Sequence, residues 1–162
     1  MENTMKMSDL KIMRIDKNNL NIFNNLGQAY EAEFSSITNK VPDQFGVFKI
    51  DTLPNFPYVG YLLYYQEIPI GICVANPESE IKDIAEFYII PSMRKKNFGY
   101  QFAIMIFDLY PGKWQVRQIQ GADHAIHFWR SVIGRYTKNQ YEEAIVDDEY
   151  WGIVTKQSFQ NN

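Results

Sequence analysis

Cysteine, histidine and unbroken apolar sequence are scarce in this chain. The single cysteine, Cys73, excludes an internal disulfide. It stands in the run Ile72-Cys73-Val74-Ala75 and reads as a small buried hydrophobe rather than a nucleophile. Two histidines, His124 and His127, come with no cysteine or carboxylate cluster at metal-ligand spacing, so no metal is expected. The most apolar region, residues 58–75, is interrupted by Gln66, Glu67 and Pro69 and does not suit a bilayer. The stretch Met1-Glu2-Asn3-Thr4-Met5-Lys6 has no apolar signal core. Positive charge is not in excess either. A net charge of -3 gives no general pull toward nucleic acid or anionic lipid. A cytoplasmic protein without a nucleic-acid or membrane partner is the expectation.

What the chain does have is core material. With 46% apolar and 15% aromatic residues, 162 residues can build one domain with a sizeable core but not two ordinary ones. The expectation is one domain over residues 1–162, its core about residues 10–156. Lys11 to Asp16 alternates and suits a strand. From Leu20, Phe23, Leu26, Tyr30 and Phe34 recur at helical spacing, with Asp16 or Asn18 as the cap. Residues 39–57 hold Pro42, Pro54 and Pro57 among Phe45, Phe48 and Phe56, a long irregular segment that either lines a site or plugs the core. Residues 58–65 and 68–75 read as a hairpin, 76–80 as a turn, and 81–90 as a strand stopped by Pro91. Phe98, Phe102, Met105, Ile106 and Leu109 mark a helix ended by Pro111-Gly112. Lys113 to Gln120 alternates as a strand with Trp114, Val116 and Ile119 inward. Asp123 can cap a further helix, with Ala125, Phe128, Trp129, Val132 and Ile133 as its stripe and Gly134 as its end. Strands around residues 135–141 and 150–155 and a frayed tail over 158–162 complete the chain. The order β-α-loop-β-β-β-α-β-α-β-β predicts an α/β protein with a mixed sheet carrying helices on its faces.

One stretch carries a mechanism. Between the strand ending at Ile90 and the helix starting at Phe98 lies Met93-Arg94-Lys95-Lys96-Asn97. Backbone N–H groups from Lys96 to Tyr100 at the positive end of a helix dipole suit a diphosphate, and Arg94, Lys95 and Lys96 add charge. The alternative is a solvated basic turn. Arg94-Lys95-Lys96-Asn97-Phe98-Gly99 resembles the acyl-CoA pyrophosphate loop of GNAT N-acetyltransferases, Arg/Gln-x-x-Gly-x-Gly/Ala, in the place between strand and helix where that loop stands. Gly71 and the segment from Ala125 to Trp129 are similar to further features of that family. Asn97 replaces the first glycine and tolerates positive φ. Trp129 falls where the family often has a tyrosine acid, and Ala122 where it has asparagine; tryptophan cannot give up a proton at neutral pH.

The resemblance implies an N-acetyltransferase that uses acetyl-CoA as cosubstrate, without metal. It places Tyr88, Ile89 and Ile90 along the pantetheine arm, and Arg94, Lys95, Lys96, Asn97, Phe98, Gly99 and Tyr100 around the pyrophosphate. Trp129 packs either against the arm or in the core. Glu86, on the strand feeding the loop, is the candidate base, because a carboxylate among apolar neighbours gains a raised pKa. It could equally be a solvated strand residue, and Asp83 is the fallback. With Trp129 unable to serve, Tyr136 and Tyr141 are substitute acids. Residues 142–149 carry five carboxylates in eight positions. They border the acceptor pocket if the resemblance holds, and otherwise form a solvated acidic loop. The acceptor implied is a small-molecule or peptide amine, cationic in character, and a homodimer is an expectation of the same kind. The rival from another class is an acyl-CoA-binding or protein-interaction module that has kept the fold without turnover.

Overall fold

The computed structural model describes residues 9–162; the N-terminal stretch Met1–Lys6 lies outside them. The elements are β1 (Leu10–Arg14), α1 (Leu20–Thr38), β2 (Val59–Tyr65), β3 (Ile68–Asn76), β4 (Ile81–Ile89), α2 (Phe98–Leu109), β5 (Gly112–Ile119), α3 (Asp123–Thr137), β6 (Glu142–Asp148) and β7 (Gly152–Asn161), with a 3-10 turn at Pro91–Met93. The order of strands and helices agrees with the sequence reading. The strands form one seven-stranded sheet in the order β1-β2-β3-β4-β5-β7-β6. Every neighbouring pair is antiparallel except β4 and β5.

Two apolar clusters hold the sheet between its helices. Phe23 of α1, with Leu26 and Tyr30 beside it, closes on Leu62, Ile72 and Val74. On the opposite face, Phe98, Phe102, Ile106 and Phe107 of α2 and Trp129, Val132 and Ile133 of α3 pack with Leu63, Trp114 and Phe159. Cys73 is buried there, where loss of solvation pushes its thiol far above the ordinary range. No helix among the described residues is long and apolar enough to cross a membrane.

Several local expectations are corrected. The first residue of α1 is not capped by an Asp16 or Asn18 side chain. Asn19 precedes the helix, its side chain accepting from Asp16 N–H (2.8 Å) and donating to the Arg14 carbonyl (3.0 Å). Ala122, not Asp123, precedes α3, and Asp123 lies in its first turn. Gly134 does not end α3, which runs on to Thr137. At that position the Asn139 Oδ1 would stand 3.0 Å from any Cβ, so Gly134 serves a close approach rather than a stop. The strand expected at 135–141 is helix and turn, and the strand is Glu142–Asp148, with two acids at each end. Pairing of all seven residues with β7 overrides the weak strand propensity of those acids. The tail over 158–162 is not frayed: as far as Asn161 it belongs to β7 and pairs with β5. On β5 the inward residues are Trp114, Val116 and Gln118, while Ile119 points the other way.

Two features of β4 shape the gap beside it. Val74 pairs with Glu86 but Ala75 pairs with Ile84, so Ala85 is an extra residue, a bulge. Strand alternation would put Ile84 and Glu86 on one face. The bulge separates them: Ile84 packs toward α2 and α3, while Ala85 and Tyr88 pack with the α1 cluster. Second, β4 and β5 pair only from Ile81–Lys113 to Ile84–Val116. Beyond that the strands part, and residues 85–89 have no strand beside them on that edge.

β3 approaches β4 closely where Gly71 faces Ile89. A Cβ there would lie 2.7 Å from the Tyr88 carbonyl oxygen and 2.8 Å from Ile89 Cδ1. Gly71→Ala is therefore expected to destabilise the protein by about 1–3 kcal/mol. Thermal or urea unfolding would read this, and an unchanged midpoint would contradict the packing described.

Candidate active site

The parted strands open a cleft of about 660 Å³. Its walls are β4 from Asp83 to Phe87, β5 from Val116 to Ile119, α1 from Tyr30 to Thr38, the loop residues Asp51 and Thr52, Ala122 just before α3, and Ala125 and Trp129 on α3. Tyr150 and Trp151, in the turn between β6 and β7, stand at its edge.

Glu86 lies in this cleft, 6% exposed. Burial raises its carboxyl pKa to about 7. The nearby Glu31 and Asp51 charges push the same way, while hydrogen bonding from the Tyr30 hydroxyl and the Thr52 backbone pulls it down. Oxygens of Glu31, Asp51 and Glu86 come within 4.8 Å of one another. Lys40 answers two of the three: its ammonium donates to Glu31 Oε2 (2.8 Å), Asp51 Oδ2 (2.9 Å) and the Lys49 carbonyl (2.9 Å). The loop that carries these groups is fastened to α1. The Gln28 amide bonds the Phe48 backbone in both directions, at 2.8 and 2.7 Å. The irregular segment 39–57 thus lines the site as well as covering α1.

At the floor, Arg117 bridges Asp83 (2.6 Å) and Asp148 (2.7 Å). Asp83 Oδ1 is buried without a partner, and burial raises the Asp83 pKa against the pull of Arg117. Gln118 and Gln157 exchange two hydrogen bonds beside it, at 2.8 and 3.0 Å. Trp129 is 5% exposed and meets the Phe87 ring at 4.8 Å, so it is at once a core residue and a cleft wall.

The basic turn lies at the far end of β4. Lys95 and Asn97 adopt φ values of 62° and 66°, and α2 begins at Phe98. This leaves the N–H groups of Phe98, Gly99 and Tyr100 without intrahelical acceptors; the first such bond is Gln101 N–H to the Asn97 carbonyl. Arg94 is not free there. It pairs with both oxygens of Glu33 on α1 (3.1 and 2.7 Å) and donates to the Ile89 carbonyl at 2.9 Å. The Phe98 side chain is buried, so only its backbone reaches outward. Gly99 has a packing reason of its own: a Cβ would meet the Phe128 ring at 2.8 Å. Tyr88 turns to α1 and meets Tyr30 at 5.5 Å between ring centres.

Sequence reasoning missed Arg135. From α3 it donates to Asn97 Oδ1 (2.8 Å) and stacks 3.7 Å over the Tyr100 ring, bringing a cation to the N-terminus of α2. Tyr30, Glu31 and Asp51 were missed too. The one visible signal was Glu31, set between Tyr30 and Phe34 in an apolar helix stripe. Tyr136 and Tyr141 are not in the cleft. The Tyr136 hydroxyl donates to Asp108 at 2.6 Å on the α2 side, and Tyr141 lies by β7 in a separate groove. No residue of 142–149 lines the cleft; Asp148 reaches it only through Arg117. His124 and His127 are exposed on α3.

No family model matches this sequence, and no curated protein matches it. Solved structures do resemble its fold. An aminoglycoside acetyltransferase from an uncultured soil metagenomic sample aligns with a TM-score of 0.63 at 21% identity, over 89% of this chain and 97% of its own. This is the GNAT fold. Spermidine N-acetyltransferase from Vibrio cholerae shares it with a TM-score of 0.59 at 11% identity, over 94% of each chain. A ribosomal-protein alanine N-acetyltransferase from Escherichia coli does so with a TM-score of 0.64 at 8% identity, again over 94% of each. The unpaired edge of β4 can bond an extended chain, and the N–H groups opening α2 can bond an anion.

Glu86 makes stability depend on pH. Its folded pKa lies above the unfolded carboxylate value, so the folded state holds the proton more tightly. That stabilisation is complete below about pH 4.3 and is lost as pH rises through about 7. Glu86→Gln should therefore match the parent near pH 4 and be the more stable of the two at pH 8. Thermal melts across that range measure it; parallel curves would refute the buried-carboxyl reading.

Proposed function

We propose that this chain is a GNAT acyl-CoA-dependent N-acetyltransferase of the cytoplasm that moves an acetyl group from acetyl-CoA to a primary amine by direct attack. The observation that carries the reading is Glu86, a buried carboxyl of raised pKa on the strand edge that faces the gap. The neighbouring structures named for aminoglycoside and spermidine acetylation support an amine acceptor of cationic character.

When bound, acetyl-CoA supplies an activated thioester carbon. The N–H groups of Phe98, Gly99 and Tyr100 hold the pyrophosphate, with charge from Lys95, Lys96 and Arg135. Arg94 serves by pinning the turn to Glu33. The backbone from Ala85 to Ile89 offers hydrogen bonds to the pantetheine arm and a donor for charge developing on the carbonyl oxygen. Glu86 takes a proton from the arriving ammonium, directly or through water. The C–N bond then forms as the C–S bond breaks. The second proton of the nitrogen passes to the departing thiolate through water, and the proton on Glu86 is returned to solvent. Among the described residues, α3 offers the cleft only Ala125 and Trp129, neither of them an acid.

That last observation favours the rival reading, an acyl-CoA-binding module without turnover. Thermal shift with acetyl-CoA and thiol release with a panel of amines separate the two. Stabilisation by acetyl-CoA together with thiol release is expected; stabilisation without release on any amine would leave the module. For the enzyme, kcat/KM should rise with pH through about 7, and Glu86→Gln should lower it about 10²–10⁴-fold. Arg135→Ala should weaken acetyl-CoA binding roughly tenfold while sparing kcat. Equal affinity in that variant would remove Arg135 from the pyrophosphate seat.

A further inference from the structure

We infer that the acceptor is a monoamine carried on an apolar, aromatic body, not a polyamine and not an amino sugar. The inference rests on the acetyltransferase reading and concerns the acceptor side of that same cleft. Polyamines and amino sugars are recognised by several spaced acceptors, each free to meet a donor. Here the charged and amide side chains of the cleft, Glu86 apart, are largely engaged with one another. Asp83 and Asp148 share Arg117, and Glu31 and Asp51 share Lys40. Gln118 is bonded twice to Gln157. Asp83 Oδ1 lacks a partner but is sealed from solvent. Glu86 is the one carboxyl lining the cleft that no cation pairs with, among the described residues. One unpaired carboxyl calls for one ammonium.

Aromatic rings also line the opening. Phe34 and Tyr58 line it from α1 and the loop, while Tyr150 is 86% exposed and Trp151 47% exposed on the other side. Two large rings left in water are costly unless something covers them. The backbone that carries them is held in place. Asp148 Oδ1 accepts the backbone N–H groups of Tyr150 (2.9 Å) and Trp151 (3.0 Å), while its Oδ2 pairs with Arg117 on the cleft floor. The aromatic rim is thereby tied to the floor through one carboxylate. Rings at the mouth and one carboxyl inside match a molecule with an apolar body and a single ammonium end.

Trp129 and Trp151 line the cleft, so intrinsic fluorescence reports its occupation. The full chain would be titrated with 2-phenylethylamine, spermidine and sisomicin, and its thermal shift with acetyl-CoA measured separately. 2-Phenylethylamine should bind at least about tenfold more tightly than spermidine or sisomicin, a margin worth about one buried aromatic contact. Trp151→Ala should weaken 2-phenylethylamine about three- to tenfold and leave the acetyl-CoA shift unchanged. Tighter binding of spermidine or sisomicin, an unchanged 2-phenylethylamine affinity in Trp151→Ala, or no binding of any amine would each overturn the inference. Loss of the acetyl-CoA shift in the parent protein would instead strike the acetyltransferase reading, so the two failures are distinguishable.

Discussion

The structure depends on a pairing that stops early. Among the described residues β4 and β5 are the sheet's only parallel neighbours, and they stay together for four residue pairs. β5 continues for its full length against β7, so the sheet itself does not break. β4 runs on alone, backed by β3 on one edge and open on the other. Unpaired strand edges are normally covered or blunted. This one faces an internal cleft of about 660 Å³. The bulge at Ala85 does the second half of the work, since without it Glu86 would share a face with Ile84 and point into the α2–α3 core.

Charge in and around the opening is partly neutralised in place. Arg117 holds the floor, Lys40 ties α1 to the long loop, and Arg94 fastens the basic turn to Glu33. These pairs position backbone, and the partly exposed ones among them add little stability of their own. They also decide which groups remain free. In the cleft that group is Glu86, and at the start of α2 the groups left over are backbone N–H donors beside Arg135. The same economy accounts for the weak motif. Asn97 supplies the positive φ that a glycine would, and its side chain engages Arg135.

Much of the fold was legible in the sequence because it rests on short-range periodicity. The spacing of Phe98, Phe102, Ile106 and Leu109 marked α2, and the alternation around Trp114 marked β5. The C-terminal third was read less well, for definite reasons. Gly134 imitates a helix stop but answers a tertiary contact with Asn139. Glu142 to Asp148 looks like a loop, and becomes a strand only because β7 pairs with it. At the site, Glu86 and the basic turn could be singled out because their neighbours in sequence carry the signal. Tyr30, Asp51 and Arg135 could not. They reach the site from α1, the long loop and α3, and nothing local in the sequence says that those elements converge.

The central claim is that the open edge of β4 and the start of α2 together hold an acyl-CoA. Amide hydrogen exchange with and without acetyl-CoA tests it most directly. The account predicts slowed exchange over residues 85–90 and 95–101, with β1 and β2 unchanged. Unaltered exchange across both stretches at saturating acetyl-CoA would contradict it.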